Sequence, residues 1–403
     1  MKKYSNGVII VLFMLFIMTG SAQTITNYTT TDGLPDNFIC GGVAIDGNNH
    51  VWVGTAAGLS EYDGNTWTNY TTTDGLIDNY ILCIAADSLG NIWIGTNSGV
   101  SKYDGATWTN YTTSDGLVDN SIIYIYTDAT NRIWFATGIG ISMLDGSLWT
   151  TYTTSDGLAS DVITYITGDA AGNIWIGTQM GGYSKFNTGF TNYTTTVIDS
   201  LASDNVFALS VENSGTQWVG TWSGISKIDN SGSWMQNYRM ADGLYNDFVR
   251  DLKNDNDGDL WVALFADYNG DGGISQFDGV IWTSYSIGEG LADKQVIRIA
   301  IDADDNVWVA TGNGVSKLSQ YSGISSNTIE IGISPNPASD FIQIETEEQC
   351  DAIKILNSQG QVIYETVPES ATTNIETSSF SQGIYIVQVS SQLKVGCRKL
   401  VIR

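Results

Sequence analysis

An all-β chain built from one repeated unit is predicted by three observations. First, a tryptophan recurs in similar strings: HVWVGT at Trp52, NIWIGT at Trp93, RIWFAT at Trp134, NIWIGT at Trp175, TQWVGT at Trp218, DLWVAL at Trp261 and NVWVAT at Trp308. Their spacings of 41, 41, 41, 43, 43 and 47 residues fill the stretch from Thr24 to Tyr321, and a period of that length marks a stacked-repeat architecture. Second, each period holds four short apolar runs separated by Gly, Asn and Asp turns, the pattern of one antiparallel sheet. Third, the two ends complement each other. TITNYTTTDGL at the front is a fourth strand with no sheet before it, and GVSKLSQY at the back is a third strand with no WTNYTT after it. Joining them completes a seventh sheet and leaves no frayed edge. The expected fold is a seven-bladed β-propeller whose N-terminal strand closes the last blade, followed by a small C-terminal β-sandwich.

Lys2 and Lys3 precede an apolar run from Val8 to Met18 and then Gly20-Ser21-Ala22. This is the pattern of a secretory signal peptide over residues 1–22, and its apolar run is shorter than the ~20 residues needed to cross a bilayer. The mature chain is expected to begin at Gln23 and to carry no transmembrane segment. Residues 23–321 are the propeller. In its second unit ILCIAAD is the innermost strand, SLGN a turn and NIWIGT the tryptophan strand. GVSKY follows as the third strand and WTNYTT as the outermost, with TDGLIDN leading into the next unit. One such sheet cannot bury both faces alone. Stacking sets Trp93 against one neighbour and Ile92 and Ile94 against the other. At ~1.5–3 kcal/mol per buried large side chain, the seven tryptophans contribute on the order of 10–20 kcal/mol. Chain entropy of ~1–2 kcal/mol per residue opposes folding by more, so only the complete ring is expected to be stable. Residues 322–330 read as a Ser-, Asn- and Gly-containing linker. Residues 331–403 read as about seven alternating strands of a sandwich.

That last segment contains PNPASD around Pro335, Asn336 and Pro337, an Asn-x-x-Gly turn at Asn357 to Gly360, the strand GIYIV with Gly383 and Tyr385, and a final strand with Lys399. It resembles the type A sorting domain of the type IX secretion system of Bacteroidota. The resemblance implies export across the outer membrane by the type IX secretion machinery, removal of this domain, and release or surface attachment of the rest. The repeats themselves, with their Gly-Asn-x-Trp-x-Gly-Thr core, Gly-x-Ser-x-Tyr strand and Gly-Leu loop, resemble the two-component regulator propeller repeat. From that family the fold is carried over, together with an expectation of glycan or small-ligand binding. No kinase segment accompanies the repeats here.

The chain carries 17 basic and 43 acidic residues, a net charge of −26, and one histidine. Such acidity repels phosphate backbones and anionic lipid heads, so nucleic acid is not an expected partner. A single histidine, His50, argues against most histidine-base and metal-hydrolase chemistry and reads as a turn residue. The sialidase reading also fails. A sialate carboxylate needs three converging arginines, and Arg132, Arg239, Arg250 and Arg298 hold different repeat positions.

Three sets of residues are candidates for binding. The DGLxDN loops, which share the top face with the loops between second and third strands, place Asp36, Asn37, Asp78, Asn79, Asp119 and Asn120 at the channel mouth. There they could grip polyols or cations, or simply brace turns as Asp and Asn usually do. Trp222 stands in the top-face loop of the fifth unit, where other units have small or polar residues, and an exposed tryptophan suits stacking on a sugar. The lengthened sixth unit runs from Asp267 to Asp278 with Asn269 and Asp271 between. Its oxygen ligands at positions 1, 3 and 5 and its glycine at position 6 match a calcium loop, so a structural Ca²⁺ is expected there. Asp278 is also the ordinary Asp-Gly turn residue of the repeat. The neighbouring acids Asp255, Asp257 and Asp259 read as solvated surface on the opposite face. Cys40 and Cys83 in the propeller and Cys350 and Cys397 in the sandwich leave pairing within each domain open.

The expected function is a secreted or cell-surface binding module for a glycan or extracellular protein, without catalysis. The alternatives are a polysaccharide lyase or hydrolase using top-face carboxylates, and a structural adhesion component.

Overall fold

The computed structural model describes residues 24–198, 200–266, 270–319, 331–336, 338–346, 350–357, 362–368, 370–391 and 394–402. The expected signal peptide and linker, together with Asp267, Asn269 and Pro337, lie outside these residues. The chain divides into two compact units, Met1–Gln320 and Tyr321–Arg403.

The first unit is all-β and propeller-like. Its described residues form seven four-stranded antiparallel sheets. The second sheet is typical, with strands Ile81–Ala86, Ile92–Thr96, Val100–Tyr103 and Trp108–Tyr111. Counted from the first, the innermost strands are Gly42–Ile45, Ile81–Ala86, Tyr124–Thr127, Ile163–Gly168, Val206–Val211, Val249–Asn254 and Val296–Ile301. Each neighbours the next, and the last neighbours the first. The seventh sheet combines Val296–Ile301, Val307–Thr311 and Gly314–Ser319 with Thr24–Tyr28, which pairs antiparallel to the third of these strands, Asn27 opposite Ser316.

The core lies between sheets. Every residue of the strand Ile92–Thr96 is buried. Trp93 packs with Ile122, Ile133 and Phe135 of the third sheet, while Ile92 and Ile94 pack with Trp52 and Leu59 of the first. Alternation along one strand therefore serves two interfaces.

Two polar devices repeat around the ring. The acid six residues before each tryptophan accepts its indole N–H. The distances are 2.9 Å for Asp46 and Trp52, 2.9 Å for Asp87 and Trp93, 3.0 Å for Asp128 and Trp134, and 2.8 Å for Asp169 and Trp175. Glu212 takes the role for Trp218 at 2.7 Å, Asp255 for Trp261 at 2.8 Å and Asp302 for Trp308 at 2.8 Å. In the second device, a buried third-strand serine donates to an asparagine of the outermost strand, which in turn donates to the preceding Gly-Leu loop. Ser101 Oγ donates to Asn110 Oδ1 (2.6 Å) and Asn110 Nδ2 to the Gly75 carbonyl (3.1 Å). Asn27 reproduces both contacts in the seventh sheet, with Ser316 (2.7 Å) and the Gly290 carbonyl (2.9 Å). The first strand thus occupies the outermost-strand position of that sheet in pairing and in side-chain chemistry.

The Gly-Leu loop requires its glycine. Gly75 sits at φ +125°, and a Cβ there would lie 2.7 Å from the Trp108 ring, so the outermost tryptophan roofs a loop only glycine can form.

The second unit has a three-stranded sheet, Ile331–Ser334, Phe341–Thr346 and Thr372–Glu376, and a four-stranded one, Val362–Thr366, Ala352–Asn357, Gly383–Ser391 and Lys394–Ile402. They share one buried cluster that includes Ile342, Ile344, Ile375, Ile355, Val387 and Leu400.

Candidate functional site

The innermost strands surround a central channel, and a repeated irregularity decides what lines its upper part. In five of these strands pairing with the tryptophan strand slips by one residue: at Ile81/Cys83, Ile163/Tyr165, Val206/Ala208, Val249/Asp251 and Val296/Arg298. A bulge re-aims the unpaired side chain. The skipped residues are Leu82, Thr164, Phe207, Arg250 and Ile297, and all five line one cavity of about 280 Å³ together with Cys40, Ile123, Gln179 and Arg298. Leu82, Ile123, Thr164, Phe207, Arg250 and Ile297 each stand 11 residues before their sheet's tryptophan. The cavity is therefore ringed by one side chain per sheet at nearly the same position, and Arg250 supplies the charge in that ring.

Below it lies a second cavity of about 330 Å³, lined by Tyr124, Tyr126, Asp251, Lys253 and, again, Arg298. At this waist side chains reach across the ring. Arg298 lies over the rings of Tyr124 (4.8 Å) and Tyr165 (5.6 Å). The Tyr165 hydroxyl donates to Asp251 Oδ1 (2.9 Å) and accepts from Lys253 Nζ (2.8 Å). Asp251 also receives the backbone amides of Leu252 (3.0 Å) and Ile299 (3.2 Å). Burial, and after it the Asp251 carboxylate, hold the Tyr165 phenol well above its usual range, so it stays protonated. Gly42 makes room for this crossing, since a Cβ there would lie 2.7 Å from Arg298 Cγ.

Beside the upper cavity Trp222 is 49% exposed. Its ring stacks on Phe207 at 5.6 Å with planes 9° apart and meets Phe248 edge-on at 5.7 Å. Phe248 in turn contacts Phe265 at 5.5 Å. An aromatic shelf with one open tryptophan thus adjoins the cavity through Phe207.

The expected loop residues are spread around the ring as loop braces. Asn37 Oδ1 accepts the Thr30 amide (2.7 Å), Asn79 Oδ1 that of Thr72 (2.8 Å), and Asn120 Oδ1 that of Thr113 (2.8 Å). Asp36, Asp78 and Asp119 each accept the amide two residues on, and Asp78 also accepts from Ser98 Oγ at 2.7 Å. Of the expected calcium ligands, Asp267 and Asn269 lie outside the described residues. Asp271 is 3.1 Å from Lys294 Nζ, and Asp278 Oδ1 accepts the amides of Val280 and Ile281 at 2.8 Å each. Among the described residues, Asp271 thus faces a lysine ammonium and Asp278 braces its own turn. No cluster of three potential metal-ligating side chains occurs among the described residues.

Asp255 corrects the reading of that turn as solvated surface, because it holds the Trp261 indole. His50 Nδ1 lies 2.8 Å from Glu61 Oε1, within its own sheet. In the second unit Asn336 Oδ1 accepts the Val401 amide (2.9 Å) and Ala338 N donates to Val401 O (2.8 Å), so the segment holding Pro335 is fastened to the final strand, whose backbone includes Lys399. Gly383 opens the strand Gly383–Ser391, and the Tyr385 hydroxyl donates to Ser381 O (2.7 Å).

Comparison with known proteins accords with both units. Residues 332–403 match the secretion system C-terminal sorting domain. That domain marks the protein for secretion or for the outer-membrane cell surface. Residues 75–98 and 157–180 match the two component regulator propeller, and both segments run from a Gly-Leu loop through a tryptophan strand. No curated protein matches the chain in sequence. Among solved structures, the extracellular domain of a hybrid two-component system of B. thetaiotaomicron is similar, with TM-score 0.65 and 18% identity over 94% of this chain and 57% of that one. PorZ, a surface component of the type-IX secretion system of Porphyromonas gingivalis, follows with TM-score 0.61 and 19% identity over 92% and 60%. Streptogramin B lyase has TM-score 0.59 and 16% identity over 74% and 97%. The chain spans less than two thirds of the first two, and at these identities all three speak for the fold alone. Among the described residues no helix is long and apolar enough to cross a membrane.

Proposed function

We propose that residues 24–319 are a seven-bladed β-propeller closed by its first strand, that residues 331–402 are a β-sandwich engaged by the type IX secretion machinery, and that the propeller is an extracellular glycan-binding module. The observation that carries the binding assignment is the half-exposed Trp222 ring, held flat on Phe207 and braced by Phe248 at the rim of a cavity. A tryptophan left open to water while its other face is packed offers a sugar ring a preformed platform, and little conformational freedom is lost on binding. The top-face side chains of Asp36, Asn37, Asp78, Asn79, Asp119 and Asn120 are committed to loop amides. The reading assigns them no catalytic step.

A glycan array probed with the mature full-length chain and with its Trp222→Ala variant tests this. The reading expects discrete glycan hits that weaken about 3- to 10-fold in the variant, the equivalent of ~0.6–1.4 kcal/mol for one aromatic platform. Absence of any glycan hit, or equal binding by both proteins, would overturn it. An extracellular protein ligand would then take its place.

A further inference from the structure

The upper cavity has a property the aromatic shelf does not explain. In a chain of net charge −26, two guanidiniums, Arg250 and Arg298, line the same cavity. Among the described residues neither forms an ion pair with a carboxylate. Asp251 is the acid among the residues lining the two cavities. Both of its oxygens are already engaged, by Tyr165, Leu252 and Ile299, and its nearest cation is Lys253 at 3.6 Å.

Arg250 Nε is buried without a hydrogen-bond partner among the described residues, and its guanidinium rests at 5.6 Å from the Phe265 ring. Arg298 Nη1 donates to the Arg250 carbonyl at 3.0 Å, so the two residues are in direct contact. Burial first, and then the Arg298 cation beside it, draw Arg250 down to about 10. A guanidinium whose Nε is buried without a partner, next to a like charge, is costly. It is an arrangement that an anion entering the cavity relieves.

We propose that this cavity binds a small carboxylate-bearing ligand, its carboxylate taken by Arg250 and Arg298 and its body by Leu82, Ile123 and Phe207. A planar carboxylate matches the guanidinium fork, which gives paired, charge-assisted hydrogen bonds. Gln179 and Thr164, also in the wall, supply hydrogen bonds to hydroxyls. The volume lies at the lower edge of the ~300–1,000 Å³ of small-molecule sites, which suits a body the size of a single sugar acid. The assignment stands on the cavity's two cations.

Isothermal titration of the mature full-length chain with D-galacturonate, D-galactose, acetate and inorganic phosphate tests it. Galacturonate is expected to bind at least tenfold more tightly than galactose. Binding of acetate as well supports carboxylate recognition. Arg250→Gln is expected to weaken galacturonate at least tenfold, with thermal melting confirming that the variant is folded. Leu89→Ala, at an exposed turn position outside both cavities, is expected to leave galacturonate binding within twofold and serves as the control. If Arg250→Gln does not fold, Arg250→Lys serves instead, since it keeps the charge, loses the fork and should weaken binding by several-fold. No heat with galacturonate or acetate, a preference for phosphate, or unchanged binding by a folded Arg250 variant would overturn the proposal.

Discussion

Asp87 offers a direct measure of what the acid-to-indole device contributes. Four donors converge on this side chain. The amides of Leu89 and Asn91 reach Oδ1 at 2.9 Å each, while Asn91 Nδ2 at 2.7 Å and Trp93 Nε1 at 2.9 Å reach Oδ2. The Leu89 amide lies beside its own exposed side chain, so water can replace Asp87 there. Trp93 and Asn91 are 3% and 8% exposed, so Asp87→Ala leaves the Trp93 indole and the amide and side chain of Asn91 without their acceptor. At about 1–3 kcal/mol for each orphaned buried group, with partial relaxation, the expected loss is about 3 kcal/mol. For a unit of about 300 residues that corresponds to a Tm about 5 °C lower. Thermal unfolding followed by tryptophan fluorescence reads it, with Asp304→Ala, at an exposed position of the equivalent turn in the seventh sheet, as the neutral control. The effect must also couple to the ring. In a Trp93→Phe background, which has no indole N–H, Asp87→Ala should cost about 1 kcal/mol less. A Tm within a degree of the control, or full additivity in the double variant, would refute this account of the turn.

Further outcomes follow from the same structure. Ser101→Ala removes the acceptor of the Ile77 amide (2.9 Å) and the donor to Asn110 (2.6 Å) in a fully buried place, so denaturant titration should show about 1–2 kcal/mol less stability. Gly75→Ala meets both a φ of +125° and the Trp108 ring and should destabilise by about 2 kcal/mol or more, whereas Gly47→Ala, with open space around it, should change little. Asp87, Asp128 and Asp169 are raised by burial, but hydrogen bonds from the tryptophans and their neighbours outweigh it and hold them below the ordinary carboxylate value. Folded values below unfolded ones mean that their contribution is complete above about pH 4 and is lost as pH falls through the lower folded values. Melting at stepped pH should therefore show this loss beginning below about pH 4, and a loss that begins above pH 5 would point to other groups. Removing divalent cations with a chelator tests the structural Ca²⁺ expected at the loop that carries Asp271 and Asp278: bound calcium predicts a Tm lower by several degrees, and an unchanged Tm would remove it.

The repeat was legible because packing tolerates little variation where it is densest. A tryptophan buried between sheets, the alternating Ile92 and Ile94, and the Gly-Leu turn under Trp108 recur almost unchanged, so the period announces the sheets. The complementary ends were legible for the same reason, since TITNY ends in the Asn-Tyr pair of four other outermost strands, and its Tyr28 is matched in all of them. The acid before each tryptophan was visible only as a six-residue spacing. Its inward direction depends on a turn conformation that composition does not reveal, which is why Asp255 read as surface. The channel was the least legible. Tyr165 and Asp251 are separated by 86 residues, and Arg250 and Arg298 hold neighbouring but unequal repeat positions. What brings them together is closure of the ring and a one-residue bulge, and neither leaves a sequence motif. The bulge does leave a trace, a recurring position 11 residues before the tryptophan, and Arg250 is the charged residue there.

The account stands or falls on closure of the ring by its own first strand. Asn27 and Ser316 face each other across that pairing, their side chains 2.7 Å apart. In the mature chain carrying Asn27→Cys and Ser316→Cys, mild oxidation followed by proteolysis and mass spectrometry should recover the peptides around positions 27 and 316 as one disulfide-linked species, with Tm equal to or above that of the parent. Recovery of the two peptides separately from folded protein would contradict the closed ring and the channel argued from it.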